Sequence, residues 1–210
     1  MLVSKNQELV ETGEYLPIME DFYTLQGEGA HTGKASYFIR IGGCDVGCHW
    51  CDVKESWDAS KHPVTSIKTL IERIPENVKT VVLTGGEPSS YNLYPLTKLL
   101  KQRGFKIHME TSGSNEIRGH VDWICLSPKK IQRPVEKVIN NAHELKCIIY
   151  NQNDFKFAEE YAAKVKESCE LFLQPEWSKS KEIVPQIIHY ILKNPKWKIS
   201  IQTHKFLNIP

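Results

Sequence analysis

From residue 36 to residue 202, short runs rich in β-branched and aromatic residues alternate with longer stretches of helical period. The spacing predicts strands at Ser36–Ile41, Thr80–Leu83, Lys106–Glu110, Asp122–Leu126, Leu145–Ile149, Leu171–Gln174 and Lys198–Gln202. Helices are predicted at Ile67–Ile74, with Thr65 and Ser66 as caps, and at Tyr94–Arg103, ending before Gly104. Two more are predicted at Asp154–Lys166, capped by Asn153, and at Lys181–Lys193, with Pro185 in its first turn. Such alternation requires an α/β fold with a mostly parallel sheet, open or closing toward a barrel. A length of 210 residues suffices for one core, and no low-complexity segment or long linker divides it, so residues 1–210 are read as one domain.

Composition removes several classes. A formal net charge of +2 is too small to imply a nucleic-acid or membrane surface. No apolar run approaches the roughly 20 residues of a membrane span. The opening MLVSKNQELVETGE has no apolar signal core. Six cysteines without an export signal argue against a disulfide framework and for a reducing, cytoplasmic home. Cys125, Cys147 and Cys169, each at or beside a predicted strand, read as small buried hydrophobes.

Polar groups gather after the strands: Thr84–Pro88, Glu110–Gly113, Ser127–Lys129, Gln174–Trp177 and Gln202–Lys205. In parallel α/β folds, sites form beyond the carboxyl ends of the strands, so these five tails predict one ligand face. The stretch CDVGCHWCD adds Cys44, Cys48 and Cys51, spaced C-x3-C-x2-C. A structural zinc site would want four ligands, commonly two pairs. A cubane iron–sulfur cluster held by three thiolates would leave one iron open to a ligand. Gly42, Gly43 and Gly47 suit a tight loop wrapping such a cluster.

The cysteine triple, with Trp50 before its last member, resembles the motif of the radical S-adenosylmethionine (SAM) enzymes, and Gly85-Gly86-Glu87 resembles their second motif. The resemblance implies a [4Fe–4S] cluster on Cys44, Cys48 and Cys51, whose open iron binds SAM. One electron then yields methionine and a 5′-deoxyadenosyl radical that abstracts hydrogen from substrate. Phe22–Gly29 (FYTLQGEG), Cys51-Asp52, Trp57-Asp58, Ser127-Pro128-Lys129, Gln174-Pro175 and Gln202–Lys205 narrow the likeness to the 7-carboxy-7-deazaguanine synthase family. That family implies a shortened, modified partial (β/α) barrel and a homodimer. It implies conversion of 6-carboxy-5,6,7,8-tetrahydropterin to 7-carboxy-7-deazaguanine, with electrons from a donor such as flavodoxin or ferredoxin.

Carried over by residue, Leu25, Gln26, Gly27, Arg40 and Thr84 would meet the pterin, Arg40 through its carboxylate. Trp50, Cys51, Asp52, Gly86, Ser112, Ser127, Pro128, Lys129 and the run Gln174, Pro175, Glu176, Trp177 would line SAM. The terminal carboxylate of Pro210 would reach the pterin, and the apolar ending Phe206–Pro210 is expected to dock. His204 reads as a satisfied loop histidine. Magnesium-dependent relatives carry a hydroxyl two places after the third cysteine. Here that place is Val53, which offers no oxygen, so magnesium is an open expectation without a named ligand. Two rival readings are a glycyl-radical activating enzyme and a non-catalytic iron–sulfur protein.

Overall fold

A computed structural model describes residues 8–210. Among these, nine strands form one sheet: β1 (Tyr15–Leu25), β2 (Ala35–Ile41), β3 (Val64–Ser66), β4 (Thr80–Gly85), β5 (Lys106–Thr111), β6 (Trp123–Leu126), β7 (Glu144–Ile149), β8 (Glu170–Pro175) and β9 (Trp197–Ile199). Their order is β3-β1-β2-β4-β5-β6-β7-β8-β9. β1 runs antiparallel to β2 and β3, and every other pairing is parallel. The α-helices after β3 are α1 (Ile67–Glu72), α2 (Tyr94–Gln102), α3 (Glu136–Asn141), α4 (Asn153–Ala162), α5 (Ser180–Lys193) and α6 (Thr203–Leu207). From β4 to β9 each strand lies beside its predecessor, which is the winding of a partial barrel rather than of a doubly wound sheet. No helix among the described residues is long and apolar enough to cross a membrane.

The pleat sends alternate residues to opposite faces. One face, with Ile39, Ile41, Leu83, Met109, Leu126, Leu145 and Leu173, is buried under Leu70, Leu96 and Leu100 of α1 and α2 and under Val138, Phe155 and Ile187 of α3, α4 and α5. Each such side chain contributes roughly 1.5–3 kcal/mol by leaving water. Arg40 and Thr84 stand opposite each other on β2 and β4, on the other face.

The first six expected strands fall within two residues of their expected ends. The seventh stops at Ile199 because the chain beyond it is pulled away. Thr203 donates both its N–H (2.9 Å) and its hydroxyl (3.0 Å) to the Gly27 carbonyl instead of extending the ladder. Strand β1 was not legible, since Glu20 and Asp21 weaken its strand character. Tertiary partners satisfy both acids: Arg40 Nε lies 2.6 Å from Glu20, Arg73 Nη1 lies 2.7 Å from Asp21, and the Tyr37 hydroxyl also donates to Asp21. Ser66 caps α1 as expected, while Thr65 belongs to β3. Asn153 lies inside α4 rather than capping it, and α4 ends at Ala162, where Lys164 and Val165 N–H both turn back to the Tyr161 carbonyl. α5 begins at Ser180, directly out of a 3-10 turn at Trp177–Lys179. Pro185 therefore sits in its second turn, not its first.

Candidate active site

The strand ends open onto one cavity of ≈ 650 Å³. Members of all five polar tails line it: Thr84–Glu87, Glu110–Ser112, Ser127 and Lys129, Gln174–Trp177, and Gln202, His204 and Lys205. The Leu25–Glu28 turn after β1 closes one side. Phe22 and Phe38 stack at 5.5 Å, and the Arg40 guanidinium lies 5.9 Å from the Phe22 ring centre. The Glu20 contact takes the Nε–H of Arg40 and so fixes its planar fork at the cavity wall.

The cysteine loop leaves β2 through Gly43 (φ 103°) and turns again at Gly47 (φ 67°), two conformations that a Cβ would strain. Gly43 N–H donates to Ser56 (2.6 Å) and Cys44 N–H to Trp57 (3.1 Å). The tail of β4 clamps this loop: Gly86 N–H reaches the Ile41 carbonyl and Glu87 N–H the Gly43 carbonyl, each at 2.9 Å. A Cβ on Gly86 would stand 2.2 Å from the Gly43 oxygen, so only glycine permits the approach. Glu87 turns its buried carboxylate inward, accepting from Ser89 N–H (3.0 Å), Ser112 N–H (2.7 Å), and the Thr111 and Ser112 hydroxyls (both 2.5 Å). It thereby sets the β5 tail beside the β4 tail.

Cys44, Cys48 and Cys51 share the cavity wall, Cys48 buried and the others half-buried. Burial pushes the Cys44 and Cys48 thiols up, and the Lys129 charge pulls Cys48 back down. Among the described residues no three His, Cys, Asp or Glu side chains are gathered around a point suited to a single metal ion. Cys147 and Cys169 lie in the apolar core, as expected. Cys125 differs. It is buried, but on the polar face, between Glu110 and Glu144 on the neighbouring strands.

Every expected site residue lines the cavity except Pro128, which is buried. The Glu176 carboxylate is already engaged, accepting from Ser178 and Lys179 N–H at the head of α5. Asp52 accepts from Gln202 (2.8 Å) and pairs with Lys205 (2.9 Å), whose ammonium also lies 4.5 Å from the Trp177 ring centre. His204 lies in α6 on the cavity wall, pressed against Gly27, rather than in a loop. Asn208 then takes a left-handed turn (φ 52°) that returns Pro210 to the cavity. The apolar ending docks only in part: Phe206 meets the Trp177 ring at 5.5 Å and Pro210 lines the cavity, but Phe206 and Leu207 stay 68% and 58% exposed, and polar contacts of Thr203 and Lys205 also hold the segment.

Sequence reasoning missed the cavity floor. Lys146 on β7 is buried with its ammonium 2.5 Å from Glu28 and 2.8 Å from Glu110. Gln26 donates to Glu110 (3.2 Å) and accepts from Glu28 N–H (3.1 Å). The one available signal was the period-2 placement of Glu144 and Lys146 in an otherwise apolar strand.

A model of the radical SAM superfamily matches residues 38–156. The chain is 57% identical, over the whole of both sequences, to a 7-carboxy-7-deazaguanine synthase of Flavobacterium psychrophilum. It is 44% identical to one from Synechocystis, over 92% of this chain and 93% of that one. The chain belongs to the 7-carboxy-7-deazaguanine synthase family. A crystal structure of QueE from Escherichia coli superposes with a TM-score of 0.82 at 30% identity, over 94% of this chain and 98% of the other, and bears out the partial barrel.

Membership brings a [4Fe–4S] cluster and SAM as cofactors. The cavity of this family member fits them. Three thiols and no fourth stand on one wall, and the backbone at Gly86 approaches the cysteine loop without side chains between. Magnesium fits less well at the place the resemblance suggested. Val53 lines the cavity without an oxygen, and its neighbour Asp52 is already neutralised by Lys205.

Proposed function

We propose that this cavity converts 6-carboxy-5,6,7,8-tetrahydropterin to 7-carboxy-7-deazaguanine with loss of ammonia. The observation that carries the reading is the convergence of the cysteine triple, the Gly86 tail, the Leu25–Gly27 turn and Arg40 on one cavity in a chain 57% identical to a synthase of that name. Cys44, Cys48 and Cys51 would hold the cluster. Trp50, Asp52, Gly86, Ser112, Ser127, Lys129 and Gln174–Trp177 would line SAM, Pro128 acting only from behind the wall. When bound, cluster and SAM supply a 5′-deoxyadenosyl radical that takes a hydrogen atom from the substrate. The protein's own work is placement. Arg40 pairs the substrate carboxylate through its two Nη atoms, Thr84 hydrogen-bonds beside it, Leu25, Gln26 and Gly27 meet the ring, and Pro210 closes over it.

The enzyme takes a small-molecule substrate and needs a reductant. We assign that role to a one-electron carrier such as flavodoxin or ferredoxin, in the cytoplasm. We read the chain as a single domain, supported by its continuous sheet, acting as a homodimer. A glycyl-radical activating role would need an open face for a partner loop; here the polar groups point into a pocket. Anaerobic reconstitution with the carboxypterin and SAM, without any partner protein, should yield the deazaguanine acid by mass spectrometry. Cleavage of SAM without that product would refute the substrate assignment.

A further inference from the structure

We propose that Lys146 is a positioning residue of this site, an internal cation that holds Glu28 and Glu110 as charged acceptors facing the substrate. The inference rests on the functional reading above and adds to it a residue that lies under the substrate. The geometry is unusual for a purely structural ion pair. Lys146 comes from the middle of a parallel strand, Glu28 from a turn and Glu110 from a strand end, and all three line the cavity. A buried charge pair seldom stabilises a fold better than apolar packing of equal volume, so its presence at a ligand surface asks for a ligand reason. Two acceptor carboxylates on a cavity floor suit a flat ring whose edge carries N–H donors, because hydrogen bonds to an ionised acceptor are the stronger kind.

Each neighbour of the ammonium has a definite charge role. Burial pushes the Glu28 carboxyl up, but the charge and hydrogen bond of Lys146, with a hydrogen bond from Gln202 and the charge of His204, bring it down to about 2. Burial likewise works against the Lys146 charge, and Cys125, Glu110, Glu28 and Glu144 together hold it well above the ordinary lysine value. Lys129, from the tail after β6, opposes it, and so does His204 when charged. Gln26 locks the frame, joining the Glu110 side chain to the Glu28 backbone. Without Lys146, two carboxylates would share the floor with no cation between them, and burial would drive a proton onto Glu28.

The test compares Lys146→Met, Lys146→Arg and the double variant Glu28→Gln/Lys146→Met with the unmodified holoenzyme. Affinity for the carboxypterin is measured by anaerobic calorimetry, kcat/KM is followed against pH, and substrate-free SAM cleavage reports cluster and SAM integrity. Because the Glu28 carboxyl sits at about 2 in the unmodified enzyme, Lys146→Met should shift the acid limb to about pH 7, where a buried carboxyl without its cation titrates, and so lower kcat/KM at pH 6 by about tenfold, with SAM cleavage changed less than about threefold. Lys146→Arg should restore the wild-type acid limb. The double variant, with one carboxylate fewer to charge, should lose the shifted limb, and it carries the test if Lys146→Met does not fold. A Lys146→Met variant with wild-type affinity and pH profile, or a double variant with wild-type affinity, would overturn the inference alone. An unmodified enzyme that neither binds nor converts the carboxypterin would overturn the functional reading and this inference with it.

Discussion

Single side chains separate the six cysteines into three environments. Cys44, Cys48 and Cys51 face the cavity, Cys147 and Cys169 face the core, and Cys125 sits among the charges of the polar face. Replacing any of the first three with Ala should abolish 5′-deoxyadenosine formation and the cluster's visible absorbance. Cys147→Ala and Cys169→Ala should keep both and cost about 1–3 kcal/mol in stability, as small core truncations do. Cys125→Ala should also keep the cluster; its loss there would refute the ligand assignment. Val53 makes a second residue-scale claim. With no oxygen at that place and Asp52 held by Lys205, turnover should respond only modestly to added magnesium, and Val53→Thr should increase the response. A strong saturable requirement in the unmodified enzyme would contradict it.

At the scale of elements, the site is a set of strand tails tied to one another. Glu87 joins the tails of β4 and β5, and Gly86 joins β4 to the cysteine loop. α6 spans three further pieces: Thr203 binds Gly27, Lys205 binds Asp52, and Lys205 with Phe206 packs on Trp177. The Lys205–Asp52 pair is partly exposed, so it is worth at most about 1 kcal/mol and positions more than it stabilises. A short Gly-Ser extension after Pro210 should therefore leave the melting temperature within about 2 °C while sharply lowering carboxypterin affinity. Unchanged kinetics in a folded, cluster-loaded extension would remove Pro210 from the site. The tails themselves were legible, because hydrogen-bonding residues interrupt the apolar period where each strand ends. Their ties were not, because each joins residues far apart in the chain.

Over the whole molecule, the partial barrel buries a charged layer inside an apolar shell. Glu144 belongs to that layer. Its Oε1 has no hydrogen-bond partner, Trp123 Nε1 donates to its other oxygen at 3.2 Å, and burial with the Glu110 charge pushes its carboxyl up to about 7. A carboxyl raised on folding from 4.5 to about 7 keeps its proton longer in the folded state. Its stabilising contribution is thus full below about pH 4.5 and is lost as pH rises to about 7, a fall on the order of 3 kcal/mol. Chemical denaturation across that range should show the slope, and Glu144→Gln should flatten it; an equal slope in the variant would dissociate Glu144 from the effect. The strand–helix alternation, the polar strand ends and the cysteine triple are legible in the chain because periodicity and close spacing are local properties. Folding alone places Glu20 and Asp21 within a strand, takes Cys125 out of the core, and gathers Glu28, Glu110, Glu144 and Lys146 into one partly buried charged layer. The reason is that the charge state of a buried group depends on distances of a few ångströms to partners that no sequence interval records.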